Sequence, residues 1–150
     1  MKWVRTAQRT CAQRWQFLTL LAVSYIPIFL TQPGKVSADT KTYLFLNPGE
    51  LLSEAPSLWS SSFGAGTVTH QYIGYLWPMG PYFWLMETLG VPDWIAQRFW
   101  WGSLVLLAAY GTYRLARALG INANYAFLAA LLYGLSPYGL HYLARLSGIL

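Results

Sequence analysis

Three long stretches of this chain run almost without charge, and they set its expected architecture. From Trp15 to Gln32 there are eighteen consecutive uncharged residues. At about 1.5 Å per residue a helix of that length reaches roughly 27 Å, close to the hydrocarbon thickness of a bilayer. A second apolar stretch runs from Trp94 to Ala116, with Arg98 near its start and Arg114 near its end. A third opens at Ala123 and meets Ser136-Pro137 after thirteen residues. That is short for a span, so a helix there either continues through a kink at Pro137 or breaks. The pattern predicts an all-α membrane protein with about three transmembrane helices, at 15–32, 94–116 and 123–150. Pro27 is expected to kink the first near its far end.

The polar positions between the first two spans predict a loop, 33–93, built from short helices. Asn47-Pro48-Gly49-Glu50 has the order of a capping box with proline at the first helical position, opening a helix towards Glu54. The run from Ser60 to Gly66 is rich in turn formers and reads as a connector. Pro81 can start a further helix that stops at Gly90, ahead of Val91-Pro92, and Asp93 is expected to cap the next span. The Pro81–Gly90 helix is apolar on most faces yet too short to cross. With Trp77, Tyr82 and Trp84 it suits the headgroup zone of a membrane.

Composition sharpens this picture. Of the 150 residues, 55% are hydrophobic and 10% charged, against roughly 25% charged in an ordinary soluble domain. So few charges point to lipid as part of the solvent. The net charge of +5 is no nucleic-acid signal, because the cations are few and flank apolar segments. The one cysteine, Cys11, has no partner for an internal disulfide. Lys2, Arg5, Arg9 and Arg14 make residues 1–14 a basic tail, and Arg114 and Arg117 flank the connection to Asn122. All five acids, Asp39, Glu50, Glu54, Glu87 and Asp93, fall in the 33–93 loop or at its edge. The positive-inside rule therefore places the N-terminus and the 117–122 turn in the cytoplasm of a plasma-membrane protein, with the loop on the outer face. A signal peptide is the competing reading, since Val36-Ser37-Ala38 offers small residues for cleavage before Asp39. The length of the first apolar run and the two that follow weigh against it.

Candidate chemistry lies in the loop. Asp39 stands seven residues beyond Gln32, at a height where a carboxylate could take a proton from an acceptor hydroxyl while a lipid phosphate leaves a sugar. Its structural alternative is an N-cap for a helix through Leu46. A departing phosphate calls for a cation, and Lys41, Arg98 and Arg145 are candidates. His70 and Gln71, which open the aromatic run to Leu85, could bond a phosphate or a sugar. Trp77 could stack on a sugar ring, or simply anchor in the interface. Glu87 could face a sugar from the end of its helix. No Asp-x-Asp, Cys/His metal pattern, glycine-rich phosphate loop or Gly-x-Ser-x-Gly is present, which argues against nucleotide-sugar, metal-centred and serine-hydrolase chemistry. No cofactor is evident, and a divalent metal stays open.

Val-Ser-Ala-Asp-Thr-Lys at 36–41, Gly-Thr-Val-Thr-His-Gln-Tyr-Ile-Gly-Tyr-Leu-Trp-Pro-Met-Gly-Pro at 66–81 and Val-Pro-Asp-Trp-Ile-Ala-Gln-Arg at 91–98 carry a resemblance. They resemble the N-terminal part of the arabinofuranosyltransferase D family, the α-(1→3)-arabinofuranosyltransferases of mycobacteria and related actinobacteria, over about residues 33–147. The resemblance implies the N-terminal part of a multi-pass GT-C type membrane glycosyltransferase, whose large first outer loop holds an acidic residue. It implies a decaprenyl-phosphoryl-arabinofuranose donor and an acceptor in the arabinan of arabinogalactan or lipoarabinomannan. Transfer to an α-linkage inverts the anomeric centre, and the first-loop acid maps onto Asp39. Members of the family are much longer, so the chain is expected to be a fragment, inactive alone. Two other classes stay in view: a non-catalytic membrane subunit or scaffold of envelope assembly, and a binding module released by cleavage after Ala38.

Overall fold

A computed structural model describes residues 2–37, 43–61, 64–68 and 77–143. In chain order the elements are α1 (Lys2–Leu30), α2 (Tyr43–Leu46), α3 (Pro48–Glu54), β1 (Trp59–Ser60), β2 (Thr67–Val68), α4 (Met79–Thr88), α5 (Asp93–Ala118), α6 (Ala123–Gly134) and α7 (Pro137–Leu143). The three apolar stretches are helical as expected. However, among the described residues no helix is both long enough and apolar enough to cross a membrane. The basic tail is not a separate segment. Its Ala, Gln and Arg residues are good helix formers with no glycine or proline among them, and α1 begins at Lys2.

The local signals explain where the helices start and stop. The Asn47 side chain accepts the Glu50 backbone N–H at 3.2 Å, and its amide donates to the Glu50 carboxylate. The capping box thus closes through side chains, with Pro48 at the first helical position. The Pro92 carbonyl accepts the Ile95 and Ala96 N–H groups in the first turn of α5. Asp93 is therefore one position inside the helix rather than its cap, and its charge meets the helix dipole there. Both α4 and α5 end in the same paired device. Val91 N–H reaches Met86 and Gly90 N–H reaches Glu87, and Ile121 and Gly120 repeat the pattern on Ala116 and Arg117. Gly90 and Gly120 have positive φ, which this stop requires. Asn122 caps α6 through the Asn124 N–H. Helical structure stops at Gly134 and resumes at Pro137.

Across the ends of the connector, Trp59 pairs with Val68 and Ser60 with Thr67 as a two-residue antiparallel ladder. A purely helical chain does not anticipate it.

The chain divides into two compact units, and the division falls inside α5, between Gln97 and Arg98. The first contains α1, the rest of α5, α6 and α7. Its buried residues recur every fourth position: Gln16, Leu20 and Ser24 on α1, Val105, Ala109 and Tyr113 on α5, and Ala126, Ala130 and Gly134 on α6. Rows at that spacing form the ridges by which helices interlock. Small residues bring the backbones close. A Cβ on Gly134 would lie 2.7 Å from that of Ala109, and one on Gly102 would lie 2.4 Å from the Tyr25 ring. Trp15 meets Phe127 edge-on, and Phe17 meets Tyr110 in the same way. The second unit packs α2, α3 and α4 through Leu44, Leu51, Ala55, Met79 and Phe83, all buried. Tyr82 donates its hydroxyl to the Ala96 carbonyl at 2.9 Å and ties α4 to the start of α5.

Candidate functional site

The candidate chemistry of Asp39, Lys41, His70, Gln71 and Arg145 lies outside the described residues. What the structure describes are residues that flank some of them in the chain. After α1, the Ser37 backbone is gripped at both of its polar groups. Its N–H donates to Gln97 Oε1 at 2.9 Å, and its carbonyl accepts from Gln97 Nε2 at 3.2 Å. Gln97 is 1% exposed, so the amide cannot exchange this pairing for water. A glutamine offers one donor and one acceptor in a fixed plane, the complement of a single residue's backbone. On the far flank Leu44 is fully buried. The described residues on either side, Ser37 and Leu44, are thus fixed by paired hydrogen bonds and by burial.

Arg98 follows Gln97 directly and does a related task. It is 4% exposed, donates through Nη2 to the Thr31 carbonyl at 3.1 Å, and lies 4.7 Å over the Trp101 ring. The guanidinium closes the chain just beyond α1, where Thr31 also hydrogen-bonds the Pro27 carbonyl through its hydroxyl. Pro27 has no N–H to give the helix, and the polar groups near the end of α1 are thus used locally.

His70 and Gln71 sit between β2 and Trp77. The ladder secures one flank and Met79, buried at the start of α4, the other. Trp77 is 77% exposed, open to an interface or a sugar face and locked in no core. Glu87 is exposed near the end of α4, as are Glu50 and Glu54 on α3. Among the described residues no group of three or more His, Cys, Asp or Glu could hold a metal ion.

Gln97, which bonds both backbone groups of Ser37, is a residue that the sequence reading passed over. Its signal was present: a glutamine beside an arginine, inside an apolar helix, must find partners if buried. Its partner stands 60 positions away in the chain, and no local pattern names it.

A family model described as the N-terminal GT-C domain of alpha-(1->3)-arabinofuranosyltransferase matches residues 23–149. The alpha-(1->3)-arabinofuranosyltransferases of Mycolicibacterium smegmatis and Mycobacterium tuberculosis are each 39% identical over 127 residues, which is 84% of this chain and 9% of each relative. Two single-particle cryo-EM structures of arabinofuranosyltransferase AftD from Mycobacteria, one of them a mutant, superpose with TM-scores of 0.81 and 0.83 at 40% identity. They cover 88% and 90% of this chain and 10% and 11% of theirs. The chain thus spans about a tenth of the length of the relatives it matches. On the strength of the family model, which takes in the clamped Ser37 segment, both candidate stretches and α5, this chain belongs to the family of N-terminal GT-C domains of the alpha-(1->3)-arabinofuranosyltransferases.

Proposed function

We propose that the chain is the N-terminal part of a membrane glycosyltransferase that moves arabinofuranose from a polyprenyl-phosphate donor, decaprenyl-phosphoryl-arabinofuranose, to cell-wall arabinan with inversion. The observation that carries the site is the paired clamp of Gln97 on Ser37, two residues before Asp39. A general base must be held to a fraction of an ångström of its hydroxyl, and a backbone gripped at both polar groups is a means of doing so.

In this reading the Asp39 carboxylate takes the proton of the acceptor hydroxyl. The hydroxyl oxygen then bonds to the anomeric carbon, and the bond to the phosphate oxygen breaks on the opposite face with its electron pair. Lys41 is assigned to the developing phosphate charge, which a cation in a water-poor site stabilises most. His70, Gln71 and Trp77 are assigned to the sugar and the headgroup level. Arg98 acts through the chain it closes at Thr31. Because the activity belongs to a protein about ten times longer, the remaining contacts to donor and acceptor are assigned to parts beyond this chain.

The membrane setting is supported by which residues face outward. Leu18, Ile26, Leu107 and Leu132 are exposed, the last two to 68% each, while Gln16, Ser24 and Gln97 are buried. In water this distribution is costly. In lipid it is the expected one, since small and polar residues mediate helix contacts and large apolar residues meet acyl chains. A hydropathy average counts the buried polar residues although lipid never meets them. At 29 and 26 residues, α1 and α5 reach roughly 43 and 39 Å, long enough to span.

Asp39→Asn in the full-length protein is expected to lower arabinose transfer by about 10²- to 10⁴-fold, the usual worth of a positioned base, with membrane insertion unchanged. Transfer at the wild-type rate removes Asp39 as the base.

A further inference from the structure

The first unit contains a cavity of about 330 Å³ lined by the middle of α1 and the basic end of α5, within the range of small-ligand sites. Arg114, Arg117 and Tyr110 supply its polar rim, Gln16 and Tyr113 a wall, and Leu20 part of an apolar floor. None of these residues takes part in the loop chemistry. We propose that this cavity binds the phosphate of an anionic phospholipid, a site separate from that of the sugar donor. The lipid source rests on the membrane reading above, whereas the phosphate chemistry does not.

Charge carries the case. Residues 1–33 and 98–144 hold Lys2, Arg5, Arg9, Arg14, Arg98, Arg114 and Arg117 and no Asp or Glu, since every acid of the chain falls between 39 and 93. This unit carries no carboxylate to neutralise the cavity's arginines, which favours an anionic ligand there. Arg114 and Arg117 lie three residues apart, on one face of α5. Among the described residues each makes one hydrogen bond: Arg114 Nη1 to the Tyr110 hydroxyl at 3.3 Å, and Arg117 Nη1 to the Ile121 carbonyl at 2.6 Å. A guanidinium has five N–H donors, so each arginine keeps a fork for phosphate oxygens, its favoured geometry. The Tyr110 hydroxyl accepts from Arg114 and retains its own hydrogen for a ligand.

The wall is already fixed. Tyr113 donates to Gln16 Oε1 at 3.0 Å and Gln16 Nε2 donates to Asn124 Oδ1 at 3.2 Å, with Gln16 buried. The site therefore needs little reordering on binding. A cationic rim above the apolar Leu20 and Phe17 suits a headgroup with the start of its acyl chains better than a free ion.

The test uses the full-length protein, purified in detergent and reconstituted in nanodiscs. Native mass spectrometry would count retained lipid with phosphatidylglycerol, with phosphatidylcholine, and with inorganic phosphate in place of lipid. Wild type is expected to retain phosphatidylglycerol over phosphatidylcholine. Arg114→Gln with Arg117→Gln should lower that retention at least tenfold, while the lysine pair at both positions falls between and controls for folding. Arg14→Gln, outside the cavity, should change nothing. Equal retention by wild type and the double glutamine variant overturns the site. Inorganic phosphate held at these arginines without lipid selectivity overturns the lipid assignment. Arabinose transfer measured on the same preparations separates the two readings: a protein that transfers sugar yet shows no arginine-dependent retention refutes this inference alone.

Discussion

Under the proposed function, Gln97 is a side chain that positions chemistry it does not touch. Its amide holds Ser37 at both backbone groups from a buried position, and the candidate base stands two residues on. Gln97→Leu keeps the approximate volume but leaves the Ser37 N–H and carbonyl unsatisfied, at a cost of about 1–3 kcal/mol. In the full-length protein, kcat for transfer is expected to fall about 10- to 100-fold, because small misplacements of a reacting group are that expensive. KM for the donor should change little. Gln97→Glu can accept from the Ser37 N–H but cannot donate to its carbonyl, so it should fall between. Equal kcat for all three would mean the clamp serves folding alone. The glutamine itself was visible in the sequence. Its task was not, because burial and a partner far along the chain are properties of the closed fold.

At the scale of elements, helix ends were legible and helix contacts were not. Asn47-Pro48 opens α3 and Gly90 follows α4 because capping depends on residues within one turn of each other. The two-residue ladder of Trp59 and Val68 escaped the same reading, since a pairing so short leaves no periodic signal. The helical course of residues 2–14 was likewise hidden behind their charge. Contacts between helices rest on small residues whose partners only the fold supplies. Gly102 faces the Tyr25 ring, and Tyr25 shares a hydrogen bond with Ser103 at 2.9 Å. Gly102→Val is expected to destabilise the protein by about 1–3 kcal/mol through overpacking, read as a lower thermal midpoint in detergent. Ser103→Ala, which removes the partner of the Tyr25 hydroxyl and the local bond from Ser103 to the Phe99 carbonyl, should cost about 1 kcal/mol. A Gly102→Val midpoint equal to wild type would mean that α1 and α5 do not pack at this position.

For the whole molecule the deciding feature is the separation of charge along the chain. Every acid lies from 39 to 93 and the tail and the 114–117 segment carry only cations, so the two ends of α5 differ in electrical character. Under the membrane reading this fixes which side each end faces. With Cys11→Ser as background, Ser53→Cys on exposed α3 should react with a membrane-impermeant maleimide in intact cells. Asn122→Cys in the α5–α6 turn should react only after permeabilisation. The reverse pattern would invert the topology and place Asp39 on the wrong face for a lipid-borne sugar.

Apolar runs, caps and the distribution of charge were settled along the chain alone, because each depends on neighbours a few residues apart or on a simple sum. They dictated the long helices and many of their boundaries, while the family resemblance rested on the particular residues of 36–41, 66–81 and 91–98. Which polar side chains are withdrawn from solvent, and onto what, came only with the closed fold. Gln16 on Tyr113 and Asn124, Gln97 on Ser37 and Arg98 on Thr31 join positions 60 to 108 residues apart. Such bonds form only after the helices have packed, and nothing in local hydropathy encodes their partners.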